Sequence, residues 1–336
     1  MRFPRRFIKE GGGTRHYHAM SRIVNREFIF GTEEKECFRK TMRELEVFSG
    51  VHVLTYCIMS NHFHLLLQVL ETESIDDQEL YRRMRGIYSK ITVANFKSEL
   101  VKARERGDDK EVTLLRGRYT YRMNDLSMYL KDLKQKFTQW CNRRAGRRGN
   151  LWEERFKSIL VEGSQHALLT MASYIDLNPV RGGICKDPKN YRYSGYGEAI
   201  GGRQVAREGL KTLVRAYGGK NDWGCVQKDY RVHLYEVGGS KGLKVDGTPL
   251  NAGINREEVH AVLENKGELT QAQLIRCRVR YFTDGVVLGS RIYVNEFFEE
   301  KREYFGVKRK TGARKMKGGQ WGGLCTARDL QIDPIK

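Results

Sequence analysis

The chain has 336 residues and a mass of 39.0 kDa, enough for two domains or for one domain with a long extension. Lys and Arg number 61 against 41 Asp and Glu, a formal net charge of +20, and an excess of that size points to a polyanionic partner, most simply nucleic acid. Apolar residues make up 40%, enough for a core, yet no apolar run nears a membrane span and the opening MRFPRRFIKEGGG lacks the apolar stretch of a secretory signal, so no membrane partner is expected.

In chain order, a basic arm from Arg2 to Lys9 leads into Gly11-Gly12-Gly13, a flexible joint or a place of close backbone approach. Residues 15–24, RHYHAMSRIV, read as a first strand. From Thr32 to about Gly50 the apolar residues Phe38, Met42, Leu45 and Phe48 step by three and four, a helical period that Gly50 closes as a C-cap. VHVLTYCIM (51–59) and HFHLLLQVL (62–70) are β-rich runs joined by Ser60-Asn61, which predicts an antiparallel hairpin. Residues 71–150 read as mostly helical. Within them Asp76–Arg106 carries Leu80, Met84, Ile87, Ile91 and Phe96 as a buried stripe, a loop falls around Arg104–Lys110, and Leu126–Cys141 forms a further helix on Leu126, Leu130, Leu133 and Phe137. That helix runs into Arg143-Arg144-Ala145-Gly146-Arg147-Arg148-Gly149, and residues 131–160 hold 9 Lys and Arg against 3 Asp and Glu. Lys157–Glu162 reads as a short strand, Ser164 as the N-cap of a helix to about Leu177, and Pro179 as its stop. Past about residue 203 glycines cluster and periodicity weakens. Asn255–Asn265 and Thr270–Phe282 read as two short helices, and the tail from Lys301 carries 10 Lys and Arg against 3 acids. The 7 cysteines are scattered with no C-x-x-C pair, which suits free thiols in a reducing cytoplasm.

Three places could do chemistry. His62-Phe63-His64 lies in an apolar strand, where residues i and i+2 share a face, so two imidazoles stand side by side as a divalent-metal half-site or as two solvated surface histidines. Tyr174 and Asn178 are four apart and share a face if the helix persists to Asn178: a phenol that can act as a nucleophile and an amide oxygen that can hold a hard metal, or a core tyrosine and a capping asparagine. Leu151-Trp152-Glu153-Glu154-Arg155-Phe156-Lys157-Ser158 mixes rings and cations, which suits single-stranded nucleic acid or a half-buried Trp under snorkelling charges.

Taken together and in order, NHFHLLLQV, LWEERFKS and YIDLNPVRGG resemble the single-tyrosine HUH transposases, and within them the REP-associated tyrosine transposases. The resemblance runs from about Arg5 to Tyr196. It implies that His62 and His64 bind a metal, Mg²⁺ or Mn²⁺, with Asn178 as third ligand, and that Tyr174 is the nucleophile. It implies a DNA-reading arm of Arg5, Arg6, Lys9, Gly12, Gly13, Thr14 and Arg15, with Arg15 standing where relatives often have an aromatic. Further DNA contacts are expected from Arg143, Arg144, Arg147, Arg148, Trp152, Arg155 and Lys157. The expected fold is α+β, a central, largely antiparallel sheet with flanking helices, ferredoxin-like, in a catalytic domain over 1–203. A basic, DNA-binding C-terminal extension over 204–336 would follow. The expected function is metal-dependent cleavage and rejoining of single-stranded DNA at REP-like hairpins through a 5′-phosphotyrosine, by a monomer or homodimer of the cytoplasm and nucleoid. The rivals are a catalytically silent hairpin DNA- or RNA-binding protein, and a replication or relaxase-type HUH nickase; no Y-x-x-x-Y surrounds Tyr174, which weighs against a paired-tyrosine initiator.

Overall fold

The computed structural model describes residues 13–71, 74–214, 222–238, 281–316 and 321–328. Arg5, Arg6, Lys9 and Gly12 lie outside the described residues, as do the two helices expected at Asn255–Asn265 and Thr270–Phe282, apart from the last two residues of the second.

The first half follows the hydrophobic pattern closely. Strand β1 is Arg15–Arg22, helix α1 Thr32–Ser49, and β2 (Val51–Ile58) and β3 (His62–Val69) form the hairpin. Gly50 ends α1 in the left-handed region, at φ 70°, where a side chain would be strained. After β3 come α2 (Asp77–Met84), α3 (Lys90–Glu105), α4 (Asp109–Thr120) and α5 (Leu126–Arg144). Then follow β4 (Lys157–Val161), α6 (Gln165–Asp176), the short turn α7 (Asn178–Arg181) and α8 (Gly195–Ile200).

Four strands lie in the order β2-β3-β1-β4, every pair antiparallel. Read from the other edge this is 4-1-3-2 with β1–α1–β2 split by β3, the ferredoxin-like arrangement expected. Register fixes the faces: Met20 pairs with His64 and Arg22 with His62, while Tyr17, Ala19, Phe63 and Leu65 point the other way. On that opposite face the Phe38 ring of α1 meets Phe63 at 4.8 Å, with Leu130, Leu133 and Phe137 of α5 in the same core. The histidine face receives α6. Helices α2–α4 form a separate small core around Leu80, Met84, Val93, Phe96 and Leu100. Ile91, expected in their buried stripe, is 73% exposed. Ser89 N-caps a new helix, accepting from Thr92 N–H, so the apolar phase restarts there with Val93 and Phe96.

The expected division at residue 203 falls inside one core. Helices α9 (Gln204–Val214) and α10 (Trp223–Gly238) bury Leu210, Leu213, Val226 and Tyr230 in the same cluster as the sheet. Beyond them come α11 (Tyr281–Asp284), β5 (Val287–Gly289), α12 (Arg291–Glu300), β6 (Arg314–Lys315) and β7 (Cys325–Ala327). Strand β5 pairs parallel with β4 and carries β7 and β6 outward, so among the described residues one sheet of seven strands runs through both parts of the chain. Residues 281–316 and 321–328 therefore extend the sheet as well as adding charge.

Candidate active site

The histidine face gathers residues from four stretches of chain. His62 and His64 stand on β3 with ring centroids 5.1 Å apart. Across them, α6 places the Tyr174 ring 5.7 Å from that of His64. Helix α6 ends at Asp176 and α7 starts at Asn178, whose side-chain Nδ2 donates to the Tyr174 carbonyl at 3.4 Å, the contact of a capping asparagine. Proline is tolerated because it sits in the first turn of α7. The structure thus brings Tyr174, His62 and His64 together, and holds Asn178 to the backbone of the tyrosine it follows. Its Nδ2 is given to the helix, so Oδ1 is the side-chain atom that could meet a hard cation.

Three residues that the sequence reading passed over complete this wall. His18 of β1 is fully buried. Its ring stacks on His64 at 5.1 Å and meets Tyr174 edge-on at 5.9 Å. Arg181 of α7 lies over the Tyr174 ring at 4.3 Å, and its Nη2 donates to the Tyr174 carbonyl at 2.6 Å. Phe282 of α11 covers Tyr174 at 4.8 Å and rests on Trp321 at 5.6 Å. Tyr174 is 5% exposed as a result. A signal for His18 was in view, since His16-Tyr17-His18 is a second H-x-H on the strand beside the first.

Hydrogen bonds order the imidazoles. His62 Nδ1 lies 2.7 Å from Asn61 Oδ1, and Asn61 Nδ2 donates to the Arg26 carbonyl at 3.0 Å. His64 Nδ1 lies 2.9 Å from His18 Nε2, and His18 Nδ1 lies 2.9 Å from the Phe282 carbonyl. Burial pushes His18 down to about 3, and burial with the nearby imidazoles and Arg181 drives His64 well below its ordinary value. Both rings are neutral at physiological pH, the form that ligates metals. Among the described residues no three His, Cys, Asp or Glu side chains gather into a metal cluster. The candidate donors are instead the imidazoles of His62 and His64 and the amide of Asn178, nitrogen and oxygen atoms that could hold a divalent cation.

Behind Tyr174 the helix is anchored by Asp176, fully buried two residues on. Its carboxylate accepts from Thr55 Oγ1 at 2.8 and 3.0 Å, Tyr196 N–H at 3.2 Å and Tyr230 O–H at 2.5 Å. Burial raises this carboxyl to about 6, against the pull of those donors.

The expected DNA contacts fare unequally. Trp152 does not face solvent: it is 4% exposed, packed on Phe30, Phe38, Phe63 and Phe137, with Nε1–H donating to Thr138 Oγ1 at 2.9 Å. It is a core residue, and the ring that a base would stack on is already covered. Arg155 and Lys157 beside it are exposed, as are Gly13, Thr14, Arg143 and Arg148, while Arg15 and Arg147 are half-buried. Arg144 is exposed but pairs with Glu33 and Glu34. Arg22, exposed and opposite His62 on the histidine face, was not anticipated.

Residues 14–106 match the family described as transposase IS200 like, a stretch that runs from β1 through the histidine pair to the end of α3 and stops short of the tyrosine helix. Among solved structures, that of a REP-associated tyrosine transposase bound to a REP hairpin is similar over 61% of this chain and 90% of that one, at 16% identity and a TM-score of 0.37. No curated protein matches the chain. No described helix is long and apolar enough to cross a membrane.

Proposed function

We propose that the chain is a transposase that cleaves and rejoins single-stranded DNA beside hairpins through a phosphotyrosine. The observation that carries this reading is the seating of Tyr174 against His64, residues from a helix and a strand far apart in sequence, beside the second imidazole of His62. The +20 charge, the exposed Arg22, Arg155 and Lys157, and the family match over 14–106 support a nucleic-acid substrate. Tyr174 Oη attacks a backbone phosphorus and a tyrosyl O–P bond forms. The P–O3′ bond breaks, and the departing 3′ oxygen takes up a proton while the phenol gives one to solvent. A 3′-hydroxyl attacking the same phosphorus reverses the step and joins strands, so the bond energy is conserved without a nucleotide cofactor. Phenols ionise near pH 10, so attack at neutral pH needs help. His62, His64 and Asn178 would hold Mg²⁺ or Mn²⁺, which when bound supplies charge neutralisation at the scissile phosphate. Arg181 sets a permanent positive charge over the nucleophile's ring. Tyr174's low exposure means that a phosphate enters only as Phe282 or Arg181 gives way.

A hairpin oligonucleotide with a single-stranded 5′ flank, labelled at either end, tests this with Mn²⁺ present. The 3′-labelled strand is expected to travel with protein on a denaturing gel, and Tyr174→Phe, which keeps the ring and removes the oxygen, is expected to abolish that adduct while still binding the hairpin. An adduct formed by Tyr174→Phe would overturn the assignment.

A further inference from the structure

Two chains of hydrogen bonds run away from the histidine pair, and each ends on a backbone carbonyl. A carbonyl can only accept, so it fixes the direction of every bond before it. On one side the Arg26 carbonyl takes the Nδ2 proton of Asn61 at 3.0 Å, which turns Oδ1 toward His62 Nδ1 at 2.7 Å. Nδ1 of His62 must then carry a proton, so a ring with one proton has its lone pair on Nε2. On the other side the Phe282 carbonyl takes a proton from His18 Nδ1 at 2.9 Å. His18 is fully buried, a place where a second ring proton would be an unpaired buried charge, so with Nδ1–H given to that carbonyl its Nε2 accepts from His64 Nδ1 at 2.9 Å. His64 is then also protonated on Nδ1, with its lone pair on Nε2. Two independent anchors leave both rings in the same tautomer, and the second anchor lies in the C-terminal part of the chain.

We infer that His18 is a positioning residue for the metal centre: relaying the Phe282 carbonyl to His64, it holds the Nε2 lone pair of His64 ready for a divalent cation, so the C-terminal segment around α11 is a working part of the site. This rests on the reading of His62 and His64 as metal ligands, and it goes beyond that reading by assigning His18, Asn61 and the backbone of residue 282. Outer partners of this kind orient ligating histidines and set their basicity.

The test uses the full-length protein in two measurements that do not depend on DNA cleavage. Long-range proton–nitrogen spectra of the metal-free protein report which ring nitrogen of each histidine is protonated. The wild type is expected to show His64 as the Nδ1–H form. His18→Gln, whose Oε1 can still accept from His64, should keep that form, and His18→Phe, which fills the space but cannot accept, should shift it toward Nε2–H. Mn²⁺ titration is expected to give His18→Phe roughly 10–100-fold weaker binding, with His18→Gln close to wild type. Asn61→Ala should act on His62 in the same sense. An Nε2–H form of His64 in the wild type overturns the relay without any variant needing to fold. Equal Mn²⁺ affinity in the wild type and a folded His18→Phe also overturns it. Wild-type protein that shows the Nδ1–H tautomer but binds no Mn²⁺ would instead overturn the metal reading on which the inference stands.

Discussion

Tyr230 offers a direct test of whether the chain beyond residue 203 is built into the unit that carries Tyr174. Its hydroxyl, fully buried on α10, donates at 2.5 Å to Asp176, which sits two residues after Tyr174. At pH 7.5 the carboxyl, titrating near 6, is ionised, so this is a charge-assisted bond in a dry place. Tyr230→Phe removes one oxygen and keeps the ring, so no cavity larger than a hydroxyl is made and the cavity term is small. A hydrogen bond to a charged buried partner contributes about 1.5–3 kcal/mol. Thr55 and Tyr196 continue to donate to the carboxylate, so the expected loss is near the middle, about 2 kcal/mol. Urea unfolding followed by tryptophan fluorescence measures it, with adduct formation assayed alongside because the tyrosine helix loses an anchor. One cooperative transition shifted by that amount is the expected result. A loss below about 0.5 kcal/mol, within the range of an ordinary surface change, or two separate transitions of which only one moves, would refute the single-core argument.

Three more outcomes follow from the same structure. His16, buried and accepting from Gln68 Nε2 at 3.2 Å, is pushed down by burial to about 4 from 6.5. The unfolded chain takes up this proton first, so its contribution is intact above pH 6.5 and is lost as pH falls to 4. The loss is about 3 kcal/mol, read as the stability difference between wild type and His16→Gln over that window, and a pH-independent difference would count against it. Trp152→Ala should cost about 3–5 kcal/mol of stability as a core truncation, whereas an unchanged urea midpoint with weakened single-strand affinity would return Trp152 to the surface role first expected of it. Arg22→Ala should flatten the log–log salt dependence of single-strand binding by about 0.7, one phosphate's share, measured by fluorescence anisotropy from low to moderate salt; an unchanged slope would remove Arg22 from the DNA path.

What the sequence disclosed depends on how many periods each element contains. Eight-residue strands β1, β2 and β3 and the long helices α1, α5 and α6 repeat their pattern several times, so their positions and faces were legible. Strands β5, β6 and β7 are two or three residues long, too short to contain a period, and β5 finds β4 only by a parallel pairing from far along the chain. The string around Trp152 was ambiguous because a ring flanked by cations looks the same whether the ring is inside and the charges snorkel or the whole faces a nucleic acid. At the site, His62-Phe63-His64 stood out by alternation, and Tyr174 with Asn178 by helical spacing. Their meeting was implied only by resemblance. Phe282 gives His18 a backbone carbonyl, which any residue possesses, so its role leaves no trace in residue identity.

The passage of one sheet from β1 to β7 also orders events in time. A ribosome that has incorporated His64 must add 218 further residues (282 − 64) before Phe282 exists. At roughly 5–20 residues per second that is a delay on the order of 10–40 s. Throughout it the nascent chain holds both histidines, and later the tyrosine, without the carbonyl that anchors His18 or the ring that covers Tyr174. A chain broken off before α11 thus lacks both the carbonyl that anchors His18 and the ring that covers Tyr174.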